Sequence, residues 1–429
     1  MLLGLLGSGV SGAIATSGDS AVPVLRTPYT AELPSIGTAN VPAIVIDFSD
    51  APATMSTADV ENVLFGAGKA EKAPFESLRS FYRRSSYGKL DIGGELLGVY
   101  HAPMKRSAIG QQTSGSQANL IADALRYFDA SGTDFSRFDS DGDGRIDYLI
   151  VMWTGSATRG GLWWGSYTVG GSDVVVDGKT LGALAWMPLP TDFSARTLVH
   201  ETGHALGLAD LYDSNRTLGP GGGVGAFDPM GDGGCDLNAL SKIMLGWIAP
   251  RVVSGALSTL TLRPTSEAPD AVIVTPSFSL AAPYREFYLV QARARTGNDA
   301  AWPYERTAGL QVWHVDASFA AMGRYAFNNT STAHKFLSLE EADGLGEIEK
   351  LDMSNAADLF HAGSSFSAAS LPSSNRYDGM RSGVTLANVK TATTGVTFSA
   401  AAATGRVIRG RQSRVGSLAA ARSSTARRR

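Results

Sequence analysis

Apolar positions fall into two regimes along the chain. Val41-Pro-Ala-Ile-Val-Ile-Asp47 and Tyr148-Leu-Ile-Val-Met-Trp153 are nearly unbroken apolar runs, the pattern of strands buried on both faces. Between them the spacing predicts a helix within Ala70 to Tyr87, with Pro74 near its start, and a second over Gln117 to Phe128. Beyond about residue 253 the pattern becomes short alternating strands: Leu257-Ser-Thr-Leu-Thr-Leu-Arg263, Phe287-Tyr-Leu-Val-Gln-Ala292 and Gly383-Val-Thr-Leu-Ala387. Helices alternating with strands, followed by a β-rich half, predict an α+β protein whose second half is sandwich-like. The implied divisions are 1–18, 19–253, 254–402 and 403–429, without an internal repeat.

One helical stretch carries chemistry. Thr197-Leu-Val-His200-Glu201-Thr-Gly-His204 holds two of the six histidines of the chain four positions apart. Residues i and i+4 share a helix face, so both imidazoles can reach one metal ion, with Glu201 held beside it. A catalytic zinc needs a third protein ligand and one open position. Asp210 is the candidate, provided the helix stops: six further helical residues would carry it about 9 Å along the axis. Gly207 is placed to end the helix and let the chain double back. The next glutamate after Glu201 is Glu267, in a Pro-rich, strand-like region, and Asp213 is a weaker substitute. A structural metal site or an inactive copy is the alternative to a hydrolase.

Zinc on His200, His204 and Asp210 would lower the pKa of a water in its open position, and Glu201 could take that proton and return it to a leaving amine. The chemistry implied is metal-assisted amide hydrolysis.

The motif HExxHxxGxxD followed by Leu211-Tyr-Asp213 resembles the metzincin metallopeptidases, and within them the M6 family of immune inhibitor A proteases. Further segments are similar to that family: Ser80-Phe-Tyr-Arg-Arg-Ser-Ser-Tyr-Gly-Lys-Leu-Asp91, Phe138-Asp-Ser-Asp-Gly-Asp-Gly-Arg-Ile-Asp147, Phe227-Asp-Pro-Met230 with Ser241 to Trp247, and Gly309-Leu-Gln-Val-Trp-His-Val-Asp316. The likeness extends over roughly residues 40 to 395. It implies a metzincin-like protease domain, a twisted sheet with helices closed by the active-site helix. It also implies that Met230 packs beneath the zinc ligands. Some metzincins carry a tyrosine two residues after this methionine to assist the oxyanion; here Asp232 stands there, and Tyr212 is the other candidate.

Asp139, Asp141 and Asp143 alternate ahead of Gly144, with Asp147 at the ninth position, as at the start of a calcium loop in which the Arg145 carbonyl would serve. Position twelve is Ile150 rather than a bidentate glutamate, which excludes a complete EF-hand. A polar turn before a strand is the plainer alternative. His314 and Asp316 share a strand face and suggest a hydrogen-bonded pair, while His101, His334 and His361 have no partner at ligand spacing. Trp153, Trp163 and Trp164 frame a Gly-rich stretch that could border a cleft, although aromatics beside strands are more often core.

Composition narrows the setting. With 44% hydrophobic residues in 429 and a formal net charge of −3, the chain can bury a substantial core. The lone Cys235 excludes an internal disulfide. Met1 to Ala15 is apolar, too short to span a membrane, and ends Ala13-Ile-Ala15, so a secretory signal and an extracellular protein are expected. Residues 405–429 hold eight arginines and no acid, and removing them takes the net charge from −3 to −11. Such a tail could touch an acidic surface or membrane headgroups, or be a solvated end; the acidic body argues against a nucleic-acid binder. The expected partners are protein or peptide substrates. The contrasting reading is a non-catalytic surface metalloprotein, which would be expected to lack Glu201 or a ligand.

Overall fold

A computed structural model describes residues 25–403, apart from 110–113, 159–161, 164, 216–221, 304–307, 319–323 and 331–333. The signal segment, the Arg-rich tail and Trp164 lie outside the described residues.

The first sheet has the order β2-β1-β3-β5-β4, from β1 (Gly37–Asp47), β2 (Leu90–His101), β3 (Arg145–Trp153), β4 (Tyr167–Val176) and β5 (Lys179–Pro188). Four strands are parallel, and β4 closes one edge antiparallel to β5. Alternate side chains of β1 face opposite ways. Val41, Ala43 and Val45 join one core cluster, while Ile44 and Ile46 join another. The second is covered by α3 (Ser114–Ala130), and the first by α1 (Thr57–Leu64), α2 (Leu78–Ser85) and α4 (Arg196–Ala205). Burial on both faces accounts for the unbroken apolar runs.

The helix expected within Ala70 to Tyr87 is α2, and it starts later than the position of Pro74 suggested. It begins at Leu78, where the Ser77 hydroxyl caps the Ser80 N–H at 3.1 Å, and Pro74 lies in the turn ahead of it. Trp153, Trp163 and Trp186 pack on one another within the core on the α3 side, with ring centroids 5.1 to 6.2 Å apart, so Trp153 and Trp163 are core residues rather than cleft residues.

The second half contributes two sheets. One has the order β11-β10-β9-β8-β6, from β6 (Arg251–Val253), β8 (Ala271–Val274), β9 (Phe287–Arg293), β10 (Gly309–Val315) and β11 (Leu337–Leu339). The other is β12-β13-β7, from β7 (Gly255–Leu262), β12 (Val384–Ala392) and β13 (Gly395–Ala402). Val272, Val274, Val290, Leu310 and Val312 pack with Leu386, Val396 and Phe398 between these two sheets. The opposite face, with Ile273, Leu289 and Trp313, enters the same core cluster as α4 and Met230. Polar side chains on that face, Gln291, Arg293 and Gln311, are fully buried where the halves meet. The class is α+β, with a continuous core across residue 253.

Candidate metal centre

Helix α4 places His200 and His204 on one face, with their Nε2 atoms 3.2 Å apart. Asp210 Oδ1 lies 3.2 Å from each of them. The outer ring nitrogens decide the tautomers. His200 Nδ1 donates to the Pro229 carbonyl at 2.9 Å, and His204 Nδ1 to the Leu208 carbonyl at 3.0 Å. A carbonyl only accepts, so each neutral ring turns an Nε2 lone pair toward Asp210. Three acceptors thus converge with no hydrogen between them, and Asp210 Oδ1 is buried without a hydrogen-bond partner. A cation resolves the arrangement. Ligands at about 2.0 Å on a tetrahedral zinc stand about 3.3 Å apart, which is the observed triangle.

Asp210 reaches the site because the helix ends in a glycine turn. Gly207 has φ +88°, its N–H donates to the His204 carbonyl, and Leu208 N–H donates to the Gly203 carbonyl. This is the paired closure of a helix C-terminus. A Cβ at Gly207 would stand 2.7 Å from Thr27 Oγ1 and the Tyr29 carbonyl, so both conformation and space require glycine. Asp213 is engaged elsewhere: it is buried, 3.2 Å from Lys335 Nζ.

Beneath the histidines runs the segment Phe227–Gly231. Asp228 Oδ1 accepts the Met230 N–H at 2.7 Å, and Oδ2 accepts the backbone N–H and the side-chain amide of Asn238, each at 2.6 Å. The Met230 carbonyl accepts Leu211 N–H at 2.8 Å, tying this turn to the loop that carries Asp210. Met230 is fully buried, and a Cβ at Gly203 would come within 2.3 Å of its sulfur. Gly203, between the two histidines, therefore lets the methionine lie against the helix. Its signal in the sequence was a glycine in a helix interior, which costs about 1 kcal/mol relative to alanine and calls for a packing reason.

Glu201 is 4% exposed on the same helix. The Thr168 hydroxyl, on the edge strand β4, is 3.0 Å from Glu201 Oε2 and 2.9 Å from its carbonyl. Burial raises the Glu201 carboxyl, opposed by His200, His204 and Thr168. Tyr212 stacks on His200 with centroids 6.2 Å apart, and its hydroxyl is pushed up by burial, by the Asp210 charge and by a hydrogen bond to that carboxylate. Thr168 was invisible to sequence reasoning, because a threonine 33 residues upstream of Glu201 carries no spacing signal.

The other expected residues sort differently. Asp139, Asp141 and Asp147 each place a carboxylate oxygen within 4.8 Å of the others, and Asp143 is not in that group. Asp143 instead accepts Arg145 N–H at 2.9 Å within the turn, while Lys179 Nζ stands 2.6 Å from Asp139. The Arg145 side chain points to Glu32 at 3.2 Å. His314 is buried between Glu286 at 2.9 Å and Glu340 at 3.0 Å, and Asp316 pairs with His334 at 2.8 Å, so the expected His314–Asp316 pair does not form. His101 bonds Asp47 at 2.6 Å, and His361 Nε2 is 3.3 Å from the Ala356 carbonyl. Asp232 is fully exposed. Cys235 is buried, and burial holds its thiol well above the ordinary range.

Two histidines and an aspartate closing on one point beside a buried glutamate form a candidate metal centre with a carboxylate next to it. Residues 40–238 match the model of the immune inhibitor A peptidase M6 catalytic domain. Over 196 residues the chain is 26% identical to immune inhibitor A of Bacillus thuringiensis subsp. alesti, a stretch covering 37% of this chain and 28% of that relative. The matched stretch is thus similar to an M6 peptidase catalytic domain, and every residue of the triangle, Glu201 and Met230 lie inside it. The match ends at residue 238, so the Gly309–Asp316 strand lies beyond it.

Proposed function

We propose that the protein is a secreted zinc endopeptidase with a metzincin-like catalytic half. The observation that carries this reading is the 3.2 Å triangle of Nε2, Nε2 and Oδ1, with both histidine tautomers preset by carbonyls. Zinc held by His200, His204 and Asp210 would supply Lewis-acid chemistry and lower the pKa of a water. Glu201, steadied by Thr168, takes a proton from the attacking water and passes it to the amide nitrogen as the C–N bond breaks. The Tyr212 hydroxyl, beside Asp210 and His200, is the group placed to donate to the developing oxyanion. Met230 and Asp228 hold the Pro229 carbonyl where it fixes the His200 tautomer. Extracellular action is inferred from the apolar Met1 to Ala15 segment. Calcium on Asp139, Asp141 and Asp147 is a second element of the reading, since these three carboxylates, half-buried, exposed and buried in turn, converge while Lys179 pairs with Asp139.

Casein hydrolysis by the purified parent and by Glu201→Gln, with zinc content measured in both, tests the assignment. The expected result is a rate lower by about 10²–10⁴ in the variant at unchanged zinc content. Zinc bound in both with hydrolysis in neither makes the protein a non-catalytic metalloprotein and overturns the reading.

A further inference from the structure

The segment 340–358 gathers carboxylates that the peptidase site does not use. Glu341, Asp343 and Asp358 each offer an oxygen, and these atoms lie within 4.8 Å of one another. Part of their bonding is structural. Glu341 accepts the N–H groups of Glu347 at 2.5 Å and Ile348 at 3.2 Å, capping the five-residue helix α6 (Glu347–Leu351). Asp343 accepts Leu345 N–H at 3.0 Å, and Asp358 Oδ2 accepts Asn355 N–H at 2.7 Å.

Two observations go beyond capping. Asp358 is 0% exposed, yet its Oδ1 has no hydrogen-bond partner. Leaving such a carboxylate oxygen dry and unpaired is unfavourable unless a ligand meets it. Alongside, a cavity of about 200 Å³, bordered by Gly223, Glu340, Glu341, Gly344, Gly346 and Glu349, gives Glu341 a route to solvent. The basic side chains of the region are occupied: Lys350 Nζ bonds the Leu345 carbonyl at 2.5 Å, and Lys335 Nζ lies between Asp213 at 3.2 Å and Glu349 at 3.1 Å. Burial and mutual repulsion push Asp358 up to about 7, with the charges of Glu341, Asp343 and Glu347 all acting in that direction.

We infer that Glu341, Asp343 and Asp358 form a binding site for a hard divalent cation of the calcium class. Oxygens on a calcium ion at about 2.4 Å lie no more than about 4.8 Å apart, and an all-oxygen donor set selects calcium over zinc. The ion would bear on the peptidase site indirectly. A Cβ on Gly222 would stand 1.8 Å from the Ile348 carbonyl, Ala226 N–H donates to Ser354 Oγ at 3.0 Å, and Val224 N–H to the Leu211 carbonyl at 3.0 Å. Fixing segment 341–358 therefore braces the loop next to Asp210.

The test uses the full-length protein loaded with zinc, stripped of calcium and titrated with calcium chloride, reading bound calcium per chain and the thermal midpoint. Asp358→Asn and Asp343→Asn are compared with Asp141→Asn, which disables the other carboxylate group. The parent and Asp141→Asn should bind calcium at this site and gain at least about 3 °C at saturation. Asp358→Asn and Asp343→Asn should each lose one equivalent, or bind it at least tenfold more weakly. Should Asp358→Asn fail to fold, Asp343→Asn alone decides. Calcium uptake and midpoint gain in Asp343→Asn equal to the parent, or no calcium left in Asp141→Asn, overturns the inference.

Discussion

Two clusters of charge share one core and differ in how they are balanced. At the end of α4, His200, His204 and Asp210 present three acceptors to one point with no proton among them. Beneath, where the halves meet, Lys242 of α5 (Ala239–Met244) is fully buried against Asp236 at 2.6 Å, and Arg293 lies 3.4 Å from Asp299. Arg293 also donates to the carbonyls of Phe227 and Asp236, each at 3.1 Å, and Asn298 donates to Asp236 at 3.1 Å. In the second cluster each carboxylate faces a cationic side chain, although Arg293 Nε and Asp299 Oδ2 make no hydrogen bond; in the first no cationic side chain is described beside Asp210. Charge balanced by opposite charge at depth reads as scaffold, and charge without that balance reads as a candidate binding site.

Removing a ligand breaks the comparison most severely. Asp210→Ala should lower zinc affinity more than about 10³-fold and abolish proteolysis, because two imidazoles alone leave the ion without its third anchor. Equilibrium dialysis against a zinc buffer measures this. Removing a charge from the second cluster should act on stability instead. Lys242→Met strands Asp236 and should cost about 3–5 kcal/mol in denaturant unfolding, whereas pairing it with Asp236→Leu should recover much of that.

Smaller effects sharpen the contrast. Gly203→Ala should cost about 1–3 kcal/mol by forcing Met230 away from α4, with weaker zinc retention as the accompanying sign. The Asp139 group offers a pH test. Burial raises Asp147 to about 6, so its protonated form favours the folded state. That contribution is complete below about pH 4 and is lost as pH rises through about 6. In calcium-free buffer the parent should therefore lose about 1–2 kcal/mol over this range relative to Asp147→Asn, and calcium at pH 7 should restore it in the parent alone. Paired thermal unfolding series read the difference.

The triangle was legible in the sequence because three ligands and the base fall within eleven residues whose geometry one helix and one glycine dictate. Gly207 gave the position of the break, and the break brings Asp210 beside the two histidines. The strands were legible from apolar runs, and β9 was placed within a residue of its observed end. What escaped depends on distant chain segments meeting. Thr168 reaches Glu201 from an edge strand, and Lys242, Arg293 and Asp299 come from three elements. Charged side chains read as surface until a fold brings their partners to them. Asp143 shows the opposite error: alternation suggested a ligand, but its carboxylate turns back to its own backbone.

Zinc K-edge X-ray absorption on the purified protein tests the central claim most directly. Two imidazole nitrogens and two oxygens at about 2.0 Å, one oxygen from Asp210 and one exchangeable, are predicted. On Asp210→Ala the site should lose its carboxylate oxygen along with most of its zinc. A coordination shell with three imidazoles, or with no exchangeable ligand, would contradict the account.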